Sequence, residues 1–344
     1  MRVTKVVGVL LAGALALAAC GGSSGNNNSS GTSTTKKSDL KVGLAYDIGG
    51  RGDQSFNDAA AAGLDKAKSE LGIKASESEA TPGEPDSAKE ERLRTLANGG
   101  FNPVIAIGFA YSAAVGKVAK EFPQTHFAIV DDPVAGANVT NLLFAEEQGS
   151  FLVGAAAALK STAKHIGFVG GVDVPLIHKF EAGYEAGAKT VTPDIKIDVK
   201  YLTQPPDFTG FNDAAKGKTA GAGMYDGGAD VVYAAAGGSG GGVFEAAKAA
   251  GKLAIGVDSD QYKTADPKVQ GVIMTSMLKK VDVAVFDFIK GGSEGTYTAG
   301  PKIFDLKAGG VDYSTSGGKV DDIKDKLEGY KKDIIDGKIT VPSK

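Results

Sequence analysis

From Leu40 onward, short runs rich in β-branched residues alternate with longer runs in which apolar residues recur at helical spacing. The short runs predict strands at 41–46, 73–79, 103–108, 126–130 and 139–144. The longer runs predict helices from about residue 56 and at 88–98, 112–121 and 148–160. This alternation is typical of parallel sheets whose strands are joined by crossover helices, so we predict an α/β fold.

The same alternation starts again near residue 165, with strands predicted at 165–169, 195–201, 230–235 and 253–257 and helices at 179–190, 213–226 and 243–250. Two successive sets of similar length indicate two similar lobes. Beyond Asp258 the pattern is irregular, and it predicts a strand at 272–275, a helix at 278–289, a strand at 302–306 and a helix at 320–335. We expect the chain to cross back, so that 38–145 with 275–300 form the first lobe and 146–274 with 301–340 the second.

The first 37 residues have the pattern of an export signal followed by a flexible tether. Residues 1–19 resemble a secretory signal, because Arg2 and Lys5 precede an apolar run at 6–16 and small residues lead to Cys20. The apolar run is shorter than the roughly 20 residues that a membrane-spanning helix needs. Cys20, the only cysteine, ends a segment resembling a bacterial lipobox, which implies a lipid anchor; an ordinary signal peptide is the alternative. Residues 21–37 carry no apolar side chain and predict a flexible tether.

The sequence GGRGDQSFNDAAAAG at 49–63 links the first predicted strand to the first predicted helix. Ser55 followed by Asp58 resembles a capping box, which places the helix start near Phe56. Loops at the carboxyl ends of strands bind ligands in α/β folds, and Asp53, Phe56 and Asn57 together suit a planar, polar ligand. The alternative is that these side chains only cap the helix, pack against it or face solvent.

Other candidates also stand at the ends of predicted strands, where a cleft between two lobes would lie. They are Asp47, Gly108, Phe109, Asp131, Asp132, Gly237, Gly238 and Asp258. Three phenylalanines in or beside polar loops, Phe56, Phe109 and Phe211, offer faces to a flat ring, although each is equally a candidate for the core. Asp258 could accept hydrogen bonds from two vicinal hydroxyl groups, and Lys279 could donate to the same hydroxyl groups while neutralising Asp258. The alternative for Lys279 is a solvated position on its helix.

Charge and motifs exclude several other functions. The net charge of −3, with acids and bases interspersed, provides no basic stripe for nucleic acid. The glycine-rich run at 234–242 and the GKT triplet at 217–219 both lack a glycine that nucleotide-binding loops require. The three histidines show no metal-ligand spacing, and neither a nucleophile elbow nor a cysteine nucleophile occurs in the folded body. We therefore expect a binding protein without a cofactor or metal.

Six segments carry a resemblance to a known family: GDQSFN at 52–57, EQGSFLVG at 147–154, IGFVGG at 166–171, AAGGSG at 235–240, GVDSDQ at 256–261 and TSMLK at 275–279. In order and spacing they resemble the basic membrane protein family, whose members include purine-nucleoside receptors of ABC importers. The resemblance spans about residues 40–318. It implies a type I periplasmic-binding-protein fold, with three chain crossings and the ligand in the cleft between the lobes.

The resemblance also implies roles for single residues. Phe56 and Phe211 would sandwich the base, with Phe208 near the second ring, while Asn57, Asp53 and Asp131 would hydrogen-bond it. The ribose would be held by Asp258, Lys279, Gly237 and Gly238. The expected function is to capture purine nucleosides and deliver them to ABC permease subunits, without catalysis. A lipid on Cys20 would hold the protein at the outer face of the membrane. Alternatives are a receptor for a sugar or other small polar solute, a surface sensor or adhesin that does not transport, and a nucleoside hydrolase.

Overall fold

The structure is a computed structural model that describes residues 39–344, so the predicted signal, lipidated cysteine and tether lie outside the described residues. The strands are β1 (Lys41–Ala45), β2 (Lys74–Ser78), β3 (Val104–Ala106), β4 (Phe127–Val130), β5 (Val139–Phe144), β6 (His165–Val172), β7 (Lys196–Thr203), β8 (Val231–Ala235), β9 (Leu253–Asp258), β10 (Ile273–Lys279), β11 (Gly300–Phe304) and β12 (Val311–Tyr313). The helices are α1 (Phe56–Leu71), α2 (Asp86–Asn98), α3 (Ser112–Glu121), α4 (Glu146–Lys160), α5 (Pro175–Val191), α6 (Ala214–Asp226), α7 (Gly240–Ala250), α8 (Gln261–Thr264), α9 (Pro267–Gln270), α10 (Val281–Ser293) and α11 (Lys324–Ile335).

These strands form two sheets of six strands each, in the orders β11-β5-β4-β3-β1-β2 and β12-β10-β9-β8-β6-β7. Every pairing in the first sheet is parallel, and in the second sheet only β12 runs antiparallel to its neighbour. The central strands of both sheets are buried along their length, as expected when helices cover both faces of a parallel sheet. The predicted fold class, two α/β lobes with parallel sheets, is confirmed.

The chain crosses between the sheets at different places from those we expected. β10 lies wholly in the second sheet beside β9. The chain therefore returns to the first lobe after Lys279, just before helix α10 begins at Val281. β11 returns to the first sheet beside β5, and β12 then pairs with β10 in the second. The expected boundaries at 275 and 301 therefore cut through two strands. The helix predicted from 278 begins at Val281, because Leu278 and Lys279 continue the ladder of β10.

Helices α4 and α5 of the second lobe touch through their backbones, and this contact helps to position one wall of the functional site. A Cβ at Gly154 would lie 2.0 Å from the Tyr184 carbonyl oxygen, and one at Gly187 would lie 2.0 Å from the Phe151 carbonyl oxygen. Only glycine permits so close an approach. The close packing places the first turns of α5 at the cleft between the lobes. In residues 39–344, no helix is long and apolar enough to span a bilayer.

Candidate functional site

A cavity lies between the lobes, at the carboxyl ends of the parallel strands. Strand ends position its polar groups: Asp47 follows β1, Asp131 follows β4, Asp258 ends β9 and Lys279 ends β10. This is the edge at which open α/β sheets bind ligands. The residues lining the cavity are Asp47, Ile48, Asp53, Phe56, Asn57, Gly108, Phe109, Asp131, Leu176, Ile177, Phe180, Phe211, Ala235, Gly237, Val257, Asp258 and Lys279.

The resemblance gives nine residues a role in stacking on or hydrogen-bonding the ligand, and eight of them line this cavity. The exception is Gly238, which lines a separate groove and lies against the Asn212 side chain. Its neighbour Gly237 does reach the cavity, with a φ of +54° that glycine adopts without strain. The sequence alone does not distinguish these two adjacent glycines. The candidate role of Gly238 in holding a ligand is not supported by its position.

Asp53 caps the first helix, a role that we predicted for Ser55. The Asp53 carboxylate accepts hydrogen bonds from the backbone N–H groups of Ser55 (2.9 Å), Asn57 (2.8 Å) and Asp58 (3.1 Å). The Ser55 side chain makes no capping hydrogen bond, and the Asp58 carboxylate accepts instead from the N–H groups of Gly52 and Gln54. The predicted capping box is therefore wrong. Burial raises the pKa of Asp53, although these backbone hydrogen bonds oppose the shift.

Asn57 is only 2% exposed, and its amide is engaged within its own lobe. Its Nδ2 donates to the Ile48 carbonyl oxygen (3.2 Å) and to Asp53 Oδ2 (3.1 Å), while its Oδ1 accepts from Asp47 N–H (3.1 Å). Both N–H groups are thus occupied, and only Oδ1 has a lone pair to spare. Asn57 can therefore accept a hydrogen bond from a ligand but has no free donor to offer it.

Asp47, a candidate at a strand end to which the resemblance gave no role, also lines the cavity. Its carboxylate accepts from Ile48 N–H (2.8 Å) and lines the cavity wall beside Gly108. Burial raises the pKa of Asp47 to about 6, and the hydrogen bond from Ile48 opposes that shift. The signal in the sequence was its position at the carboxyl end of the first strand, which it shares with Asp131 and Asp258.

Lys279 joins the two lobes by a buried ion pair. Its Nζ lies 2.6 Å from Asp131 Oδ1 in the first lobe and 3.1 Å from Glu146 Oε1 in the second, and all three side chains are nearly inaccessible to solvent. Three phenylalanine rings surround Nζ at 5.1–5.5 Å from their centroids: Phe56, Phe144 and Phe180. Lys279 is therefore a buried residue at a strand end, and the alternative of a solvated helix position is wrong.

Burial and the ion pair together shift the pKa values of these groups. Burial acts to lower the pKa of Lys279, but attraction to Asp131, Glu146 and Asp258 outweighs it, so the pKa is raised and the ammonium stays charged. Burial raises the pKa of Asp131, against the opposing attraction of Lys279. The neighbouring Asp132 does not line the cavity, so of the two adjacent acids Asp131 is the cavity residue.

Asp131 and Asp258 both have left-handed backbones, with φ of +78° and +63°. Such conformations are uncommon outside glycine, although aspartate tolerates them better than most residues, and they concentrate at functional sites. The Asp258 Oδ2 accepts a hydrogen bond of 2.6 Å from Ser55 Oγ in the other lobe. Burial raises the pKa of Asp258 to about 6, against the opposing attraction of Lys279.

The aromatic wall comes from both lobes. Phe56 and Phe109 line the cavity from the first lobe, and Phe211 lines it from the second. Phe208 lies outside the lining residues and packs edge-on against Phe109, with ring centroids 5.9 Å apart. Phe211 also meets Phe109 edge-on, at 6.4 Å. Of the two candidates for the second ring, Phe211 is therefore the one exposed to the cavity.

The cavity can hold a small ligand with several hydrogen-bond donors. Four carboxylates, those of Asp47, Asp53, Asp131 and Asp258, and one ammonium face a space otherwise walled by aromatic and aliphatic side chains. Small-molecule sites have this composition, mostly apolar with a few placed polar groups. Across residues 39–344, no group of three or more histidine, cysteine and acidic side chains is arranged to hold a metal ion.

Two α/β lobes joined by three crossings, with a polar cavity at the facing strand ends, define a solute-binding protein of the type I periplasmic class. Comparison with solved structures agrees with this class. A solute-binding protein of an ABC transporter system from Aeropyrum pernix K1 is 29% identical, with a TM-score of 0.77 over 89% of this chain and 94% of that one.

The chain belongs to the Bmp family of ABC transporter substrate-binding proteins, described as PnrA-like, whose family model matches residues 40–344. The ABC transporter nucleoside-binding protein BmpA of Lactococcus lactis subsp. cremoris is 39% identical over 360 aligned positions, covering 100% of this chain and 99% of that protein. A lipoprotein of Pyrococcus abyssi is 34% identical over 81% of this chain and 70% of its own length. The resemblance seen in the sequence is confirmed.

Proposed function

We propose that this substrate-binding protein captures purine nucleosides and delivers them to the permease of an ABC importer. The observation that carries the proposal is a single cavity in which a phenylalanine from each lobe lies near a cluster of buried acids and one buried lysine. The 39% identity to a nucleoside-binding relative along the full chain supports the same ligand class. The family is one of solute-binding proteins, and the proposed function requires no covalent chemistry.

In this proposal the base lies between Phe56 and Phe211. Stacking on an aromatic side chain contributes about 1–3 kcal/mol per base in single-stranded nucleic-acid sites, which makes the two rings the main source of affinity. The polar edge of the base faces Asp131, with Asp47 and Asn57 Oδ1 as further acceptors. Because all of these groups accept hydrogen bonds, they favour the N–H-bearing edge of a purine.

The ribose faces the second lobe. Asp258 accepts from its hydroxyl groups, Lys279 supplies the donor, and the backbone at Gly237 closes the wall. Hydrogen bonds to charged groups contribute more than neutral ones, typically about 1.5–3 kcal/mol, so Asp258 and Lys279 distinguish a nucleoside from a free base. Closing of the lobes around the ligand completes the site.

The N-terminal sequence and the relatives support a proposed location. We propose that residues 1–19 direct export, that Cys20 carries the lipid anchor, and that residues 21–37 tether the binding body to the outer face of the membrane. A relative that aligns with most of this chain is itself named a lipoprotein. An anchored receptor stays near its permease, which raises the local concentration of loaded receptor at the transporter.

Calorimetric titration tests the proposal. The protein is denatured and refolded to remove carried-over ligand and is then titrated with adenosine, guanosine, inosine, cytidine, uridine, ribose and glucose. We expect saturable binding of the purine nucleosides, abolished by Phe56→Ala and by Asp258→Ala. Silence toward every nucleoside would contradict the proposal, provided that circular dichroism shows the refolded protein to be native.

A receptor for a sugar or other polyol is the second candidate, because the acids and Lys279 bind hydroxyl groups and do not require a base. In that case the phenylalanines would stack on the apolar face of a pyranose. A response to glucose or ribose without any response to nucleosides would favour this candidate. Incubation with inosine, followed by chromatography for free hypoxanthine, tests separately for nucleoside hydrolysis, which we expect to be absent.

A further inference from the structure

Three side chains that do not themselves line the cavity, those of Ser55, Ser259 and Gln261, make hydrogen bonds between the two lobes beside it. Ser55 of the first lobe is fully buried, and its Oγ lies 2.6 Å from Asp258 Oδ2 and 3.2 Å from the Val257 carbonyl oxygen in the second lobe. In return, Ser259 Oγ donates to the Ser55 carbonyl oxygen (2.8 Å). The chain segments on either side of the cleft therefore exchange hydrogen bonds in both directions.

Gln261 extends this contact with an amide that is bonded at both ends. Its Oε1 accepts from Val257 N–H (2.8 Å) within the second lobe, and its Nε2 donates to the Gln54 carbonyl oxygen (3.0 Å) of the first. The side chain is 2% exposed. Because an unsatisfied buried polar group is costly, breaking the bond to Gln54 requires water to enter at this point.

We propose that Ser55, Ser259 and Gln261 form a closure contact that determines how long a bound ligand is retained, although none of the three lines the cavity. Separation of the lobes breaks their hydrogen bonds together and also removes the partner that fixes the Asp258 carboxylate at the cavity wall. Ligand enters before these bonds form and leaves only after they break. The contact should therefore act on dissociation far more than on association.

Other contacts across the cleft do not isolate closure in this way. Phe109 with Phe211, and Lys279 with Asp131, are pairs of cavity residues, so a substitution there also removes a proposed ligand contact. Ser259 is free of that ambiguity, because its Oγ bonds to the Ser55 carbonyl oxygen, whereas Ser55 also fixes the cavity residue Asp258. The closure contact is inferred from the hydrogen bonds alone. It rests on the proposed function only in that a nucleoside is chosen as the probe ligand.

The test uses the double variant Ser55→Ala/Ser259→Ala and the fluorescent nucleoside 2-aminopurine riboside. Stopped-flow measurements should show dissociation about tenfold faster than in the wild type, because two or more hydrogen bonds that each contribute a few-fold are lost, with association changed less than about twofold. Small-angle X-ray scattering without ligand should show a larger radius of gyration. Ser316→Ala is the matched control, since Ser316 Oγ donates at 2.6 Å to Asp260 within the second lobe, and it should behave as the wild type.

Unchanged dissociation and scattering in a folded double variant would overturn the closure contact. If the double variant does not fold, Ser259→Ala alone, at a half-buried position, should still speed dissociation about threefold, and equality with the wild type would again contradict the proposal. If the wild type binds no 2-aminopurine riboside, scattering alone decides, and calorimetry with the natural nucleosides decides the nucleoside proposal separately. A larger radius in the double variant than in Ser316→Ala then supports the contact, and identical profiles overturn it.

Discussion

The two walls of the cavity are supported in different ways. On the first-lobe wall, Asp53 and Asn57 hydrogen-bond to the backbone of their own lobe, and Asp47 bonds to the N–H group that follows it. On the second-lobe wall, Asp258 bonds to Ser55 across the cleft, and Lys279 pairs with Asp131 across the cleft as well as with Glu146 in its own lobe. Asp47, Asp53 and Asn57 of the first wall are therefore held within one lobe, whereas Asp258 and Lys279 each gain a partner when the lobes meet, as does Asp131.

This difference separates two tasks that a transport receptor has to perform. A preformed wall can recognise a ligand while the lobes are apart, since its polar groups are already oriented and lose little entropy on binding. Side chains that gain a partner when the lobes close make ligand binding favour the closed state over the open one. Substitutions in the first wall should therefore act within one lobe, and substitutions in the second wall should act on the contact between lobes.

Lys279→Met gives the largest expected effect, because it removes the cation that neutralises Asp131 across the cleft and Glu146 in its own lobe. Breaking a buried ion pair from one side costs about 3–5 kcal/mol, since it leaves buried charge without compensation. We expect the free energy of unfolding, measured by urea titration at pH 7.5, to fall by that amount. Binding of purine nucleosides should be lost.

Lys290→Met is the control for this change, because Lys290 is exposed on the neighbouring helix α10. It should leave stability within about 0.5 kcal/mol of the wild type, as is usual for surface substitutions. A small effect of Lys279→Met, equal to that of Lys290→Met, would show that the ion pair contributes nothing to the contact between the lobes.

Asp53→Ala tests the first wall and should cost less. The carboxylate caps α1 through three backbone N–H groups, and loss of a capping side chain costs up to about 2 kcal/mol. Asp53→Asn keeps one acceptor oxygen and should recover part of that loss. Hydrogen exchange should show that the increased opening is confined to the first turn of α1. Equal exchange changes in the second lobe would contradict the idea of a self-supported first wall.

Much of the fold follows from local pattern. The strand over residues 139–144 and the helix over 112–121 were predicted with the bounds that the structure shows, because the first is a short apolar and β-branched run after a turn and the second carries apolar residues at helical spacing. The three-residue strand β12 was not predicted, since Val311–Tyr313 is too short for alternation to be visible. The length of β10 was underestimated because its polar residues, among them Thr275 and Ser276, are buried by neighbouring strands that the local sequence does not reveal.

The site was predictable as a set of residue types at strand ends, but its pairings were not. Asp131 and Lys279 stand far apart in the chain, and only the assembled lobes bring their charged atoms to 2.6 Å. Ser55 was taken for a cap because the spacing from Ser55 to Asp58 fits a capping box. The structure instead uses Asp53 as the cap and leaves Ser55 to bond across the cleft. Two acceptors that compete for the same N–H groups cannot be separated by spacing alone.

Asp47→Asn is the smallest predicted change and the one that depends on pH. The pKa of Asp47 is about 6 in the folded protein against 3.8 for an ordinary aspartate, so the folded state binds its proton more tightly than the unfolded state. The group favours folding below pH 4, and this contribution is lost as the pH rises through 6. Asparagine keeps an oxygen to accept from Ile48 N–H but carries no buried charge. We therefore expect Asp47→Asn to raise the free energy of unfolding at pH 8 and to change it far less at pH 4. Urea titrations of the variant and the wild type at both pH values measure this difference. A gain in the free energy of unfolding that is the same at pH 4 and pH 8 would show that the Asp47 carboxylate does not lie in a desolvated, self-supported wall.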